Sequence, residues 1–123
     1  MGLRFEREFE DIRGKSYLFS YEDKQIVIAE TKKGYARGGH YYTNEQVRFL
    51  LLGKAEYLEE DAKTGSNQKV IILDAPQTIL IPPYGAHILV ALTDSIVLEI
   101  LDKKPGRVNY PKLRKIVEEK MNK

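Results

Sequence analysis

Between Lys15 and Leu101 apolar and polar residues alternate in short runs, punctuated by Gly, Pro, Asp and Asn. "SYLFSYE", "QIVIAET", "VRFLLLG", "AEYLEED", "KVIILD", "TILIP", "AHILVAL" and "SIVLEIL" are rich in β-branched and aromatic side chains. None sustains the 3.6-residue period of a helix, so each predicts a strand. Eight short strands predict an all-β barrel or jelly roll. "EYLEEDAKTGSNQKVIILD" predicts a hairpin with "KTGSNQ" at its exposed tip, and "LLLGKAEYL" a tight reversal at Gly53-Lys54.

After Leu101 the pattern changes. "DKKPGRVNYPKLRKIVEEKMNK" opens on a Pro-Gly turn, offers Asn109 as a cap and Pro111 in the first helical turn, and sets Leu113, Ile116, Val117 and Met121 on one face. The spacing predicts a short amphipathic helix over about 110–121, behind a barrel over about 15–101. Its apolar face must lie on its own barrel or on a second subunit.

A chain of 123 residues buries one core, so a single domain over 1–123 is expected. No run reaches the ~18–20 apolar residues of a membrane span. "MGLRFEREFEDIRGK" is charged where a signal peptide needs an apolar centre, and it lacks the Ser/Thr expected for N-myristoylation. These features predict a cytoplasmic protein with no membrane partner. The absence of cysteine excludes disulfides, thiolate nucleophiles and cysteine zinc sites, leaving chemistry to oxygen and imidazole.

The net charge of +2 hides an asymmetry. Lys103 to Lys123 carry eight Lys/Arg against two Glu, which leaves the preceding residues net acidic. The basic character is a property of the tail. No RNA-binding aromatic motif or helix-turn-helix pattern accompanies it, so no nucleic-acid partner is expected. A charged fraction of 31% without cysteine or tryptophan fits a thermophile's composition.

Candidate chemistry gathers in two stretches, "RGGHYYTNEQVRFLLLG" and "IPPYGAH", which hold the chain's two histidines, His40 and His87. Strand alternation points His40 and Tyr42 to one side, and likewise His87, Leu89 and Ala91. Gly38 and Gly39 permit close approach of a ligand or unusual backbone angles just before His40.

The spacing His40, one residue, Tyr42, three residues, Gln46, six residues, Gly53 resembles the first motif of the cupin family, His-x-His, three or four residues, Glu, six residues, Gly. The second motif, Pro-x-Gly-x-x-His, is matched at Pro82 and His87, with Tyr84 where the family has glycine. Within cupins the chain is similar to the sugar 3,4-ketoisomerases of nucleotide-linked deoxysugar biosynthesis. "RGGHYY", Gln46, "IPPYGAH" and "TDSIVLEIL" carry that similarity over roughly residues 34–101. The departure is Tyr42, which stands where those enzymes have their second histidine.

The resemblance implies a double-stranded β-helix, paired as a homodimer, that isomerises a nucleotide-diphosphate keto-deoxysugar through an enediol. Metal-binding cupins surround an ion with three histidines and a glutamate. The same positions here read His40, Tyr42, Gln46 and His87, so neither metal nor other cofactor is expected. A proton shuttled between adjacent carbons needs a base that works near neutrality, which suits His40. Tyr42 would donate to the developing enediolate oxygen, His87 would orient the ring or assist transfer, and Gln46 would hold a hydroxyl. Arg37 would take the diphosphate, with Arg48 as a possible second contact and Tyr84 as a plug or a stacking surface. A nucleotide-sugar 3,5-epimerase and a non-catalytic sugar- or small-ligand-binding cupin are the alternatives.

Overall fold

The computed structural model describes residues 2–102 and 106–122. In chain order the elements are β1 (Leu3–Asp11), β2 (Gly14–Tyr21), β3 (Lys24–Thr31), β4 (Ala36–Tyr41), β5 (Gln46–Leu52), β6 (Lys54–Asp61), β7 (Ser66–Asp74), β8 (Gln77–Ile81), β9 (Gly85–Ala91), β10 (Ser95–Asp102), β11 (Val108–Asn109) and α1 (Pro111–Met121). Among the described residues they form two antiparallel sheets, ordered β1-β2-β3-β10-β5-β8 and β11-β4-β9-β6-β7. All eight runs expected as strands are strands. No helix among the described residues is long and apolar enough to cross a membrane.

Three strands were not anticipated. β1 begins well before Lys15, and its "LRFEREFED" sets Leu3 and Phe5 against Arg4 and Glu6 in the two-residue alternation of a strand, with all nine residues exposed. Phe5 meets Phe19 of β2 edge to face, with centroids 5.5 Å apart. β4 carries His40, the start of the first histidine motif, and β11 adds two residues to its edge.

The hairpin expectation holds for β6 and β7, which pair from Lys54↔Asp74 to Asp61↔Ser66. The reversal expected at Gly53-Lys54 is a different object. β5 and β6 belong to different sheets, and Gly53, at φ 96°, is the corner where the chain crosses between them. A side chain there would stand 2.4 Å from the Asp94 carbonyl oxygen, so glycine is required for space as well as for backbone conformation.

Leu50, Ala55, Tyr57, Leu73, Ile79, Ile81 and Val97 fill part of the space between the sheets. A cavity takes the rest. On β4 and β9 the alternate residues Ala36, Ile88 and Val90 turn outward and meet Leu113 and Val117 of α1, both buried. The helix therefore lies on its own barrel, and burying two such side chains stabilises that placement by roughly 1.5–3 kcal/mol each. Tyr110 is the cap residue, without a side-chain capping bond, and Pro111 starts the helix. Asn109, expected as the cap, instead pairs with His40 through β11. Pro105 of the expected Pro-Gly turn lies outside the described residues.

A buried carboxylate fixes the helix start. Glu60 on β6, 2% exposed, accepts from Tyr110 Oη, from Lys112 Nζ at 3.0 Å and from Gln68 Nε2 at 3.0 Å. Burial alone would raise the Glu60 carboxyl. Its hydrogen bonds from Tyr110, Lys112 and Gln68 outweigh that and hold it below the ordinary carboxylate range.

Candidate functional site

The site starts from a break in the alternation of β4. Arg37 and His40 are three residues apart, so an unbroken strand would point them to opposite faces. The β4–β9 register runs Arg37↔Leu89, Gly38↔Ile88 and then His40↔His87, so Gly39 is an extra residue, a β-bulge. Gly38 and Gly39 have φ of 114° and 86°. A Cβ on Gly38 would stand 2.6 Å from the His87 carbonyl oxygen, and one on Gly39 2.6 Å from Arg114 Cα. The glycine pair resets the phase of the strand, and both Arg37 and His40 face the interior.

There they line a cavity of about 760 Å³, within the range of small-molecule sites. Arg13 from the β1–β2 turn, Arg37, Arg107 and Arg114 give its wall four guanidinium groups, with Tyr42, Glu99 and His40 deeper in the same wall. Arg13 is held by Asp11 at 2.8 Å, and Arg114 donates Nη1–H to the Gly38 carbonyl at 3.1 Å. Arg37 donates Nε–H to Thr31 Oγ1 at 2.9 Å and Nη2–H to the Glu30 carbonyl at 2.6 Å. Burial, followed by the neighbouring charge of Arg13, lowers its pKa.

Next to this cavity is an inner chamber of about 40 Å³ that shares His40. His87, Tyr57, Arg48 and Glu99 line it together with Ile79, Ile81, Leu89 and Val97 of the core. His40 meets both Tyr42 and His87 edge to face, with centroids 5.3 and 5.1 Å apart. His87 Nδ1 lies 2.9 Å from the Gly85 carbonyl oxygen. A carbonyl only accepts, so Nδ1 carries the proton and Nε2 presents a lone pair. Arg48 is 4% exposed, ion-paired through Nε with Glu99 Oε1 at 3.0 Å, and lies over the Tyr42 ring at 5.6 Å.

Both imidazoles are neutral at pH 7. Burial holds His40 down to about 3, helped by the charges of His87, Arg107, Arg48 and Arg114. Burial likewise holds His87 down to about 4, against the pull of its Gly85 hydrogen bond and with the charge of Arg48. Burial pushes the Tyr42 phenol up, so it stays protonated and able to donate. The same cause, followed by the hydrogen bond to Glu59, pushes up Tyr57.

Of the residues expected from sequence, Arg37 and His40 line both the cavity and its inner chamber, Tyr42 the cavity, and His87 and Arg48 the chamber. Arg48, whose ordinary place would be outward in solvent, is buried because β5 turns Gln46, Arg48 and Leu50 inward. Gln46 and Tyr84 do not reach it. Gln46 is buried one step further along β5 and lines a separate depression beside Leu101. Tyr84, at φ 64°, packs on Tyr41 at 5.7 Å and under Lys63 Nζ at 4.1 Å, on the outer side of the sheet. Sequence reasoning missed Arg13, Arg107, Arg114, Tyr57 and Glu99. They come from five separate segments with no spacing in common, so only the tertiary fold joins them.

The donor set does not fit a cupin metal. Tyr42 keeps its proton, Gln46 is elsewhere, and Glu99 is engaged by Arg48. Among the described residues no three His, Cys, Asp or Glu side chains gather around one point. Two imidazoles remain, short of the three or four protein ligands of such centres.

No protein-family model matches the chain, and no curated protein matches it by sequence. Solved structures match it in fold. The capsular polysaccharide assembling protein CapF from Staphylococcus aureus superposes with a TM-score of 0.69 at 17% identity, over 85% of this chain and 34% of that one. CapF with the inhibitor 3-isopropenyl-tropolone gives 0.71 at 18% identity, over the same 85% and 34%. A variant of Bacillus subtilis oxalate decarboxylase gives 0.70 at 18% identity, over 88% of this chain and 31% of that one. The chain thus spans about a third of the length of these solved chains. Both neighbours are cupins, and with its two facing antiparallel sheets, its interior cavity and its C-terminal helix, this chain has the cupin jelly-roll fold.

Proposed function

We propose that this chain binds a nucleotide-diphosphate keto-deoxysugar and moves its carbonyl to the neighbouring carbon without a metal, as a 3,4-ketoisomerase does. The observation that carries the reading is a cavity of about 760 Å³ walled by Arg13, Arg37, Arg107 and Arg114 and reaching the neutral imidazole of His40, with that of His87 behind it in the inner chamber. Guanidinium groups suit a diphosphate through paired N–H donors. A neutral imidazole suits removal of a proton from carbon next to a ketone. A fold neighbour, CapF, is a capsular polysaccharide assembling protein, which agrees with a sugar ligand.

The chemistry balances within the site. His40 takes the proton from the carbon beside the ketone. The freed C–H electron pair becomes the carbon–carbon double bond, and the carbonyl pair moves onto oxygen. Returning the proton to the former carbonyl carbon, while the adjacent hydroxyl passes its own proton to the oxygen that took up the carbonyl pair, completes the shift. Tyr42, held protonated, donates to a substrate oxygen during the transfer. His40 starts as a weak base because burial and nearby arginines disfavour its charged form. A bound diphosphate offsets the arginine part of that penalty, so substrate binding itself raises the base strength.

Incubation with a thymidine-diphosphate keto-deoxysugar in deuterated water tests the reading by NMR. Deuterium at the carbon beside the ketone, with the carbonyl shifted by one position, is the expected result. Exchange with inversion at the carbons flanking an unmoved ketone would mean an epimerase. Binding with no exchange would mean a ligand-binding protein.

A further inference from the structure

Arg48 holds the one buried side-chain nitrogen without a hydrogen-bond partner among the described residues, its Nη2. The other two nitrogens are used: Nε faces Glu99 at 3.0 Å, and Nη1–H donates to its neighbour Val47's carbonyl at 3.4 Å. A buried N–H left unpaired is costly, and folded proteins pair such groups with protein, water or ligand. Arg48 lines the inner chamber, whose volume of about 40 Å³ compares with the ~30 Å³ that one water occupies in the liquid. That space admits one oxygen atom or a group the size of a carboxylate. It excludes a sugar ring, which must stay in the larger cavity.

The chamber's other walls narrow the choice of group. Ile79, Ile81, Leu89 and Val97 offer it no hydrogen bond, His40 and His87 also line it, the Tyr57 hydroxyl is spent on Glu59, and the Glu99 carboxylate there is answered by Arg48 Nε. The remaining unsatisfied donor belongs to a cation. We infer that the inner chamber is an oxyanion subsite, in which Arg48 Nη2 donates to the substrate oxygen that gains negative charge while His40 holds the proton. Assigning that oxygen to a sugar ketone rests on the proposed function; the preference for a small oxyanion does not. Donors preset at the place where charge develops act most strongly in apolar surroundings, which Ile79, Ile81, Leu89 and Val97 give this chamber. Arg48 then serves in the chemical step, whereas Arg37, Arg107 and Arg114 serve in binding the part of the substrate that does not react.

The variant that isolates Nη2 is Arg48→Lys, since one ammonium can still face Glu99 but no second nitrogen reaches the chamber. We expect kcat on the keto-sugar to fall by about 10²–10³ with KM little changed. A second measurement needs no substrate. Formate, small enough for the chamber, is titrated into the protein while the ring protons of His40 and His87 are followed by NMR. A saturable shift of His87 is expected in the wild type. It should be absent in Arg48→Lys and in Arg48→Met combined with Glu99→Gln, which avoids stranding the carboxylate if the single variant unfolds. Benzoate, too large for the chamber, should leave His87 unmoved. A formate response that is absent in the wild type, or equal in the variants, overturns the subsite. Unchanged kcat in a folded Arg48→Lys variant overturns its catalytic assignment while leaving the isomerase reading intact. A formate response lost in both variants, with no keto-sugar turned over, sinks the isomerase reading and keeps the subsite.

Discussion

His40 on β4 and His87 on β9 are register partners whose rings meet edge to face, centroids 5.1 Å apart, at the boundary between the two parts of the cavity. Burial makes a charge on either ring costly, and a charge on His87 adds to the cost at His40. The pair is therefore expected to stay neutral well below the usual histidine range. In NMR titrations neither ring should change protonation between pH 8 and 5; a midpoint near 6.5 for His87 would contradict its burial.

Stability follows from the same pair with a definite sign. In the unfolded chain imidazoles take up protons near pH 6.5, but in the folded one not until about 4 for His87 and about 3 for His40. Between those values the unfolded state holds more protons, so the contribution is fully present above about pH 6.5 and is lost progressively as pH falls. Urea unfolding at pH 7 and pH 5 should give a lower midpoint at pH 5, and His87→Gln should flatten the difference.

Pyrophosphate should act on the two rings unequally. Arg107 and Arg114 contribute to the low pKa of His40 but are not among the causes for His87. Neutralising them with an inorganic diphosphate should raise the His40 midpoint while moving that of His87 little. Arg107→Ala should mimic the effect without ligand. Equal shifts in both rings would place the anion elsewhere.

Substitutions in the wall should separate chemistry from binding. His40→Asn is expected to lower turnover by about 10² or more with the fold retained, because a group able to hold a proton is gone. Tyr42→Phe should cost less, since the base remains. Arg37→Ala should weaken ligand binding and also lower the melting temperature, because it leaves the buried Thr31 hydroxyl and the Glu30 carbonyl without their guanidinium partner. Calorimetric binding together with thermal melts would distinguish the three.

Removing α1 should be expensive. Leu113→Ala alone is expected to cost about 2–5 kcal/mol, since Leu113 is buried against β4 and β9. Deleting the chain from Lys112 onward would also uncover Ala36 and Ile88, take the Lys112 partner from Glu60 and remove Arg114 from the cavity. Denaturant titrations should show the loss of stability, and pyrophosphate affinity should fall with it. A truncated chain as stable as the full one would contradict the packing described here.

Much of this was legible in the chain. Alternation in the eight apolar runs gave the strands, and the fixed spacing around His40 and His87 singled out two residues that lie side by side in the fold. β1 escaped because Arg4, Glu6, Arg7, Glu8 and Glu10 dominate its composition, although Leu3 and Phe5 keep the two-residue period. Arg48 was legible as a residue but not as a buried one, because a charged side chain between Val47 and Phe49 ordinarily faces water. Tyr84 misled through its place in a motif: a positive φ at that position turns the side chain away from the cavity. The guanidinium wall was not legible at all. Arg107 and Arg114 looked like part of a basic tail, and only the docking of α1 brings that tail back over β4.

The bulge at Gly38–Gly39 behaves like a reading frame for the sheet. Every residue before it is assigned to a face by counting in twos, and the extra glycine shifts the count once. Losing one glycine would hardly shorten β4, and the His40 motif downstream would remain intact letter for letter. Arg37 would nonetheless be rotated out of the cavity toward α1, and Ala36, packed beneath the helix, would be turned inward in its place. A sequence alignment that places a one-residue gap there would score the two chains as near equals. In three dimensions one of them would have its anion-binding wall turned inside out.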